Sequence, residues 1–237
     1  MGNAHFVRRL SSGSVNGGSH IRLRSYAPTD REAVRQICCE TADSGNPVES
    51  FFPDREVFAD LLTRYYTDFE PQSSLVAVEE GRVVGYLHGC LRPHRFFWLM
   101  AFWIGPRVTL KALTRGTFFR RQVMALVFAN LGLWLRTAGR HKVSVADYPA
   151  HLHINLRERC RGRRVGQLLM LEWLARACEL KIPGVHAGVC ADNERACRFF
   201  EAMGFQALGR EPRMRLPGQR RLLETVVYGL PLHNDKR

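Results

Sequence analysis

Two groups of residues in this 237-residue chain have the types and spacing to do chemistry. The first is an arginine-rich turn, Arg161-Gly162-Arg163-Arg164-Val165-Gly166, preceded by Arg157 and Arg159 and followed by Gln167 and an apolar helical pattern. The first amides of a helix have no partner within it and lie at the positive end of its dipole. Such a turn, ringed by five arginines, suits an anion of the pyrophosphate kind. The second group is a set of imidazoles. Side chains alternate across a strand, so His151, His153 and Asn155 share one face, and Leu152, Ile154 and Leu156 the other. On a later strand His186, Gly188 and Cys190 lie opposite Val185, Ala187 and Val189. If the polar faces coincide, three imidazoles converge, and imidazole moves protons near neutral pH. The same histidines could instead be hydrogen-bonded core residues. Asp147-Tyr148-Pro149 offers a carboxylate and a phenol to line a pocket, or simply a turn. His151 and His153, two apart with no carboxylate beside them, do not have metal-ligand spacing, and no metal is expected.

The elements that must position these groups follow from periodicity and turn signals. Strands are expected at 21–24, 74–78, 82–89, 151–156, 185–189, 205–210 and 222–230, with a tight turn at Glu80-Gly81. Helices are expected at 30–42 (capped by Thr29, with Ala33, Ile37 and Cys38 on one face), 54–66, 166–180 and 194–203. The apolar face of the second is Val57, Phe58, Leu61, Leu62 and Tyr65. Ile182-Pro183-Gly184 ends the third. No internal repeat is present.

The net charge of +13 is concentrated. Residues 81–146 contain no Asp or Glu but eleven basic residues, from Arg82 to Lys142, which reads as a local device aimed at something anionic. This stretch also holds two apolar runs, 96–104 and 123–135, too short for a span of roughly 20 residues. Gly105-Pro106 should break any helix joining the first run to the residues beyond it. Two readings stay open for residues 93–146. They form helices that cover a pocket or make a homodimer contact, or they lie peripherally on an anionic membrane, aromatic side down. The aromatics come in solid runs rather than interleaved with basic residues, which argues against nucleic acid. Residues 1–20 read as a vector-derived leader, 21–231 as one domain and 232–237 as a tail. Phe6 rules out a myristoylation signal. Seven cysteines without a Cys-x-x-Cys pair point to reduced thiols and a cytoplasmic protein, with Cys38, Cys178 and Cys197 as small core residues.

The stretch from Arg157 to Phe205 resembles the GCN5-related N-acetyltransferases, the GNAT family. Their cofactor turn reads Gln/Arg-x-x-Gly-x-Gly/Ala, and a later helix reads Asn-x-x-Ala-x-x-Phe/Tyr-Tyr-x-x-x-Gly-Phe. Arg161 and Gly166 fit the first motif, with Arg164 in place of its first glycine. A register starting at Arg159 gains Gly162 but puts Arg164 at the last small position; the first register is preferred because the apolar helix follows it directly. Asn193, Ala196, Phe199, Gly204 and Phe205 fit the second motif. The segments 147–156 and 184–189 are also similar to acetyltransferase-like domains found beside O-GlcNAc hydrolases. The resemblance implies a mixed α/β (α+β) fold, with a largely antiparallel central sheet flanked by helices and interrupted here by a helical, basic and apolar insertion. It implies an acetyl-CoA-dependent acyltransferase acting on an amine, or a CoA-binding module without activity. It implies pyrophosphate contacts from Arg161, Gly162, Arg163, Arg164, Val165, Gly166 and Gln167, a thioester held along Ile154, Asn155 and Leu156, and a pantetheine arm beside Asn193, Phe199 and Phe200. The family's thiolate-protonating tyrosine is replaced by Phe200, so the proton chemistry falls to His153, His151, His186 or Tyr148.

Overall fold

The computed structural model describes residues 21–137, 146–215 and 222–232. The expected leader and the last five residues lie outside them. Among the described residues, seven strands form one sheet in the order β1-β2-β3-β4-β5-β7-β6: β1 Ile21–Ser25, β2 Ser74–Glu79, β3 Arg82–Cys90, β4 Ala150–Leu156, β5 Gly184–Cys190, β6 Gln206–Arg215 and β7 Leu222–Pro231. Every neighbouring pair is antiparallel except β4 and β5. The expected β2–β3 turn is a tight one, with Glu80 and Gly81 both at positive φ (50° and 78°). That is the geometry matching the twist of a two-residue hairpin.

Side-chain alternation gives each face of the sheet its own partners. Leu75, Ala77, Leu87, Leu152, Val185 and Ala187 point to one face, packing against α6 (Val165–Glu179) and α7 (Glu194–Ala202) through Leu169, Met170, Trp173 and Phe200. Val76 and Tyr86 point to the other, against α1 (Arg31–Glu40) through Val34, Ile37 and Cys38. Trp173 lies so close under β3 that a Cβ on Gly89 would sit 2.2 Å from its indole nitrogen, which donates to the Ser73 carbonyl at 3.0 Å.

The first helices differ from their sequence expectation in detail. A short 3₁₀ turn, Pro28–Asp30, precedes α1, and Thr29 does not cap it. Instead the Asp30 carboxylate accepts the Ala27 amide at 2.8 Å and pairs with Arg24. In α2 (Arg55–Arg64) Leu61 and Leu62 are exposed, because the buried stripe runs through Val57, Ala59, Asp60 and Thr63. The polar members of that stripe are there to be paired. Asp60 meets Arg35 of α1 and, at 2.8 Å, Lys111 of the insertion.

The insertion is helical as expected: α3 (Pro93–Leu99), α4 (Gly105–Thr114) and α5 (Arg121–Thr137). Gly105-Pro106 does not end the first helix. A π turn, Met100–Ile104, carries it through, and the Gly105 amide reaches back five residues to the Met100 carbonyl. Pro106 then falls in the first turn of α4, where a missing N–H costs nothing. The inner side of this helix packs Ile104, Val108 and Ala112 against Val57, Tyr65 and Tyr66. Part of its charge is spent internally. Lys111 pairs with Asp60 and Glu56, and Arg115 with Asp54. Asp54 also caps α2, accepting from the Glu56 and Val57 amides, and takes the Thr117 hydroxyl. The described cysteines are free thiols; Cys38 is buried, while Cys178 and Cys197 are only partly so.

Candidate active site

The site is built where the sheet comes apart. β4 and β5 are registered only at Ala150–Val185 and His151–His186. Beyond that point they splay, while β4 stays paired with β3 through Leu156. The Arg157 amide donates to the Val84 carbonyl at 2.9 Å. Antiparallel alternation then turns the amides of Asn155 and His153 toward β3, and those of Leu156 and Ile154 toward the side that β5 has left. A groove of about 930 Å³ fills the gap. Its lining includes Ile154, Asn155 and Leu156 on β4, Arg161, Gly162, Arg164, Val165, Gly166 and Gln167 at the start of α6, and Asn193, Phe199 and Phe200 on α7.

One side of the groove has the backbone geometry that suits an anion. Gly162 and Arg164 both have positive φ (77° and 61°), which coils the chain so that α6 starts at Val165. The first helical bond runs from the Leu168 amide to the Arg164 carbonyl at 3.0 Å, so the amides of Val165, Gly166 and Gln167 precede the helical ladder. A Cβ on Gly166 would meet Leu156 at 3.3 Å and Phe199 at 3.4 Å, which is why the narrowest residue stands there. Arg161 lies against the Ser44–Asn46 loop, also part of the lining; a Cβ on Gly45 would sit 2.6 Å from its guanidinium. Arg163 is not in the lining. It turns away and binds Glu79 at 2.8 Å, beside Arg159, because that buried carboxylate needs cations. Asn193 caps α7, its carbonyl oxygen accepting the Ala196 amide at 3.1 Å.

The imidazoles sit outside that lining, at the end where β4 and β5 are still registered, and their polar faces do coincide. The rings of His151 and His186 are 5.6 Å apart, and those of His151 and His153 are 5.9 Å apart. His88 of β3 is registered opposite His153, adding a fourth. The Tyr66 hydroxyl is 2.8 Å from His151 Nε2, and its ring stacks on His88 at 5.1 Å. Phe96 of the insertion lies edge-on to His151 at 4.8 Å, so α3 walls this end. His186 Nδ1 donates to the Tyr148 carbonyl at 2.8 Å, which leaves Nε2 as the ring's acceptor. Tyr148 thus acts through its backbone. Its ring covers Gly184 and Gly229, where a Cβ would come within 2.9 Å of it.

Three of these rings, His88, His151 and His153, are biased toward the neutral form. Burial, then the neighbouring His153, pushes His88 down to about 3. Burial, then His153 and His186, lowers His151 well below its ordinary value. His153 is lowered by burial, then by His186 and Arg213. It is set deep in the cluster, yet its side chain opens to solvent, which tempers the effect of burial there.

Residues 140–205 match the Acetyltransferase (GNAT) family model. The match spans β4, α6, β5 and α7. Among solved structures this chain is similar to SsHAT, with 27% identity over 90% of this chain and 98% of that one and a TM-score of 0.67. It is similar in fold to an N-acetyltransferase from Staphylococcus aureus Mu50 (15% identity; 91% and 100% covered; TM-score 0.55). It also shares the fold of a GNAT superfamily phosphinothricin acetyltransferase from Sinorhizobium meliloti in complex with AcCoA (18% identity; 90% and 88% covered; TM-score 0.54). These likenesses carry the GNAT fold and leave its branch open.

α6 begins at Val165, inside the motif register that starts at Arg161 and directly after the one that starts at Arg159. Phe200, at the family's tyrosine position, is buried between Phe205 (ring centroids 5.1 Å) and Tyr228 (5.8 Å) and offers no proton. Four contributors were missed in the sequence: His88, Tyr66, Phe96 and the Ser44–Asn46 loop. The alternation Tyr86, His88, Cys90 along an apolar strand was a usable signal for the first.

Proposed function

We propose that this protein is an acetyl-CoA-dependent N-acetyltransferase that moves the acetyl group directly from the thioester to an amine. The observation that carries the reading is the splayed β4–β5 seam, with an arginine-lined helix start along the groove and the histidine cluster beside its closed end. The cradle's fit to a pyrophosphate rests on the amides of residues 165–167 with Arg161 and Arg164 around them. The pantetheine arm then runs past Asn193 and Phe199 beside β4. An amide of Ile154 or Leu156 receives the thioester carbonyl oxygen as it gains charge; a fixed donor in a dry groove stabilises that charge far better than bulk water.

The amine nitrogen becomes strongly acidic as it bonds to the carbonyl carbon, so even a weakened imidazole can take its proton. His153 is our choice for this step, because it is the open member of the cluster and lies one strand step from the groove-lining Asn155. His151 and His186 position it. With Phe200 where a tyrosine would stand, the thiolate leaves without a side-chain acid from α7 and takes its proton from water.

The test has two arms. Arg161→Ala should weaken acetyl-CoA binding about tenfold or more by calorimetry, since a charge-assisted phosphate contact is worth roughly 1.5–3 kcal/mol. His153→Gln should lower kcat roughly 10²-fold against a panel of amines while leaving acetyl-CoA affinity in place. Tight binding without turnover of any amine by the unaltered protein would defeat the catalytic reading and keep only the groove.

A further inference from the structure

The outer side of the α3–α4 helix is as apolar as its inner side. Phe97, Trp98 and Phe102 are 65, 60 and 67% exposed. They form one strip: Trp98 stacks on Phe102 at 5.0 Å and meets Phe97 edge-on at 6.1 Å. The Trp103 ring follows, covered by the Arg107 guanidinium at 3.2 Å. Further along, Leu110, Phe119 and Phe128 are exposed to similar degrees. A strip of this size is not needed for the core, which the same helix already serves with Ile104, Val108 and Ala112.

The charge around the strip has one sign. Lys111 and Arg115 are neutralised against the body of the protein. Arg92, Arg95, Arg107, Arg120 and Arg121 are exposed and make no ion pair among the described residues. No Asp or Glu occurs anywhere from 81 to 146. That asymmetry chooses among occupants. A two-fold contact between copies sets a patch against itself, and here it would set arginine against arginine with no acid from the segment between them. An anionic lipid surface offers the opposite charge together with an apolar layer for the rings. No helix of the described residues is long and apolar enough to cross a membrane, so the segment would lie in the interface.

We propose that residues 93–131 are a docking surface for anionic membranes, with Phe97, Trp98 and Phe102 entering the interface and Arg95, Arg107 and Arg121 meeting the head groups. The surface is independent of the acetyl-transfer chemistry, although Phe96, on the same helix, reaches His151.

The test is co-sedimentation of the full chain with vesicles of phosphatidylcholine containing roughly one-third phosphatidylserine, and with pure phosphatidylcholine. Binding to the anionic vesicles is expected at low salt, with a fall above about 0.1 M, where screening becomes effective within ~10 Å. Neutral vesicles should bind at least about tenfold more weakly. Arg95→Glu with Arg107→Glu, and separately Trp98→Ser with Phe102→Ser, should each lower anionic-vesicle binding by roughly tenfold or more. All four side chains face solvent, and unchanged acetyl-CoA affinity serves as the folding control, so failure of this surface is distinguishable from failure of the catalytic site. No binding at low salt, or equal binding to both vesicle types, would overturn the proposal. So would a dimer in sedimentation velocity that Trp98→Ser with Phe102→Ser dissolves, which would assign the strip to a second copy.

Discussion

Arg164 sits in a backbone conformation that glycine adopts freely and other residues do not (φ 61°). A non-glycine residue there carries about 1–2 kcal/mol of strain. The chain retains that strain at the mouth of the groove, where the guanidinium can meet a phosphate. Arg164→Gly should therefore be neutral to about 1 kcal/mol stabilising in urea unfolding, because glycine's looser unfolded chain offsets part of the relief. The same variant should weaken acetyl-CoA several-fold. If affinity is unchanged while stability rises, the arginine is only a tolerated stand-in. A second expectation concerns His153. Its imidazole is held below the ordinary value, so the neutral, proton-accepting form persists as pH falls through 6.5. The acid limb of kcat should lie below that value, and a limb at or above it would exclude His153 as the base. How much of this was legible depends on the residue. Arg161, Gly166 and Asn193 announce themselves because turn and cap geometry restrict residue type locally. His88 and Tyr66 do not, since their contacts exist only once β3 lies beside β4 and the π turn after α2, Tyr65–Phe69, packs on His88. Arg163 misleads because its neighbours in sequence face the groove while its own partner, Glu79, is eighty-four residues away.

At the scale of elements, the insertion is joined to the body through polar contacts that hydrophobic periodicity cannot show. Asp54 caps α2, takes Thr117 and pairs with Arg115, and these contacts hold its carboxyl down to about 2 against the opposing effect of burial. Asp54→Ala removes a cap and unpairs two partners, and should cost about 2–4 kcal/mol in denaturant unfolding. It should also open the 105–121 segment to limited proteolysis before the rest of the chain. Loss of stability without earlier cleavage there would show that Asp54 serves α2 alone. Since this carboxyl is depressed in the folded state, its contribution is present above the unfolded pKa near 4 and is lost only as pH falls toward 2. The order of strands and helices was readable from alternation and turn residues. The exposed Leu61 and Leu62 were not, because the stripe α2 buries includes Asp60, whose place inside is secured by Arg35 and Lys111. The π turn at Met100–Ile104 was equally hidden: the sequence shows a Gly-Pro, and only the backbone shows the wider turn that accommodates it.

The whole molecule carries its histidines as an acid sensitivity. His88 is fully enclosed and its value falls from 6.5 to about 3, so the unfolded chain binds a proton there that the folded chain refuses. Stability should therefore rise with pH between about 3 and 6.5 and level off above. The slope from this residue is about 1.4 kcal/mol per pH unit. His88 Nδ1 lies 2.8 Å from the Ser74 hydroxyl, so His88→Asn, which keeps a nitrogen near it, should flatten that slope in urea titrations at pH 4.5–6.5, whatever its effect on absolute stability. An unchanged slope would place the sensitivity elsewhere.

The seam between β4 and β5 has a mechanical side. On its open length the ladder lacks the rungs that would carry load across the sheet, and the two halves meet through two registered pairs and the core beneath α6. The anion cradle belongs to one half, through α6, and the Asn193–Phe199 flank to the other, through α7. A molecule bound along the groove acts as a clasp across both. At a hundredfold excess over its dissociation constant, acetyl-CoA adds about 2.7 kcal/mol to the folded state. Hydrogen exchange should show that gain concentrated on both banks of the seam, in β5 and α7 as much as in α6. The protein's resilience would then follow the supply of its own co-substrate, stiff when charged CoA is plentiful and compliant when it runs out.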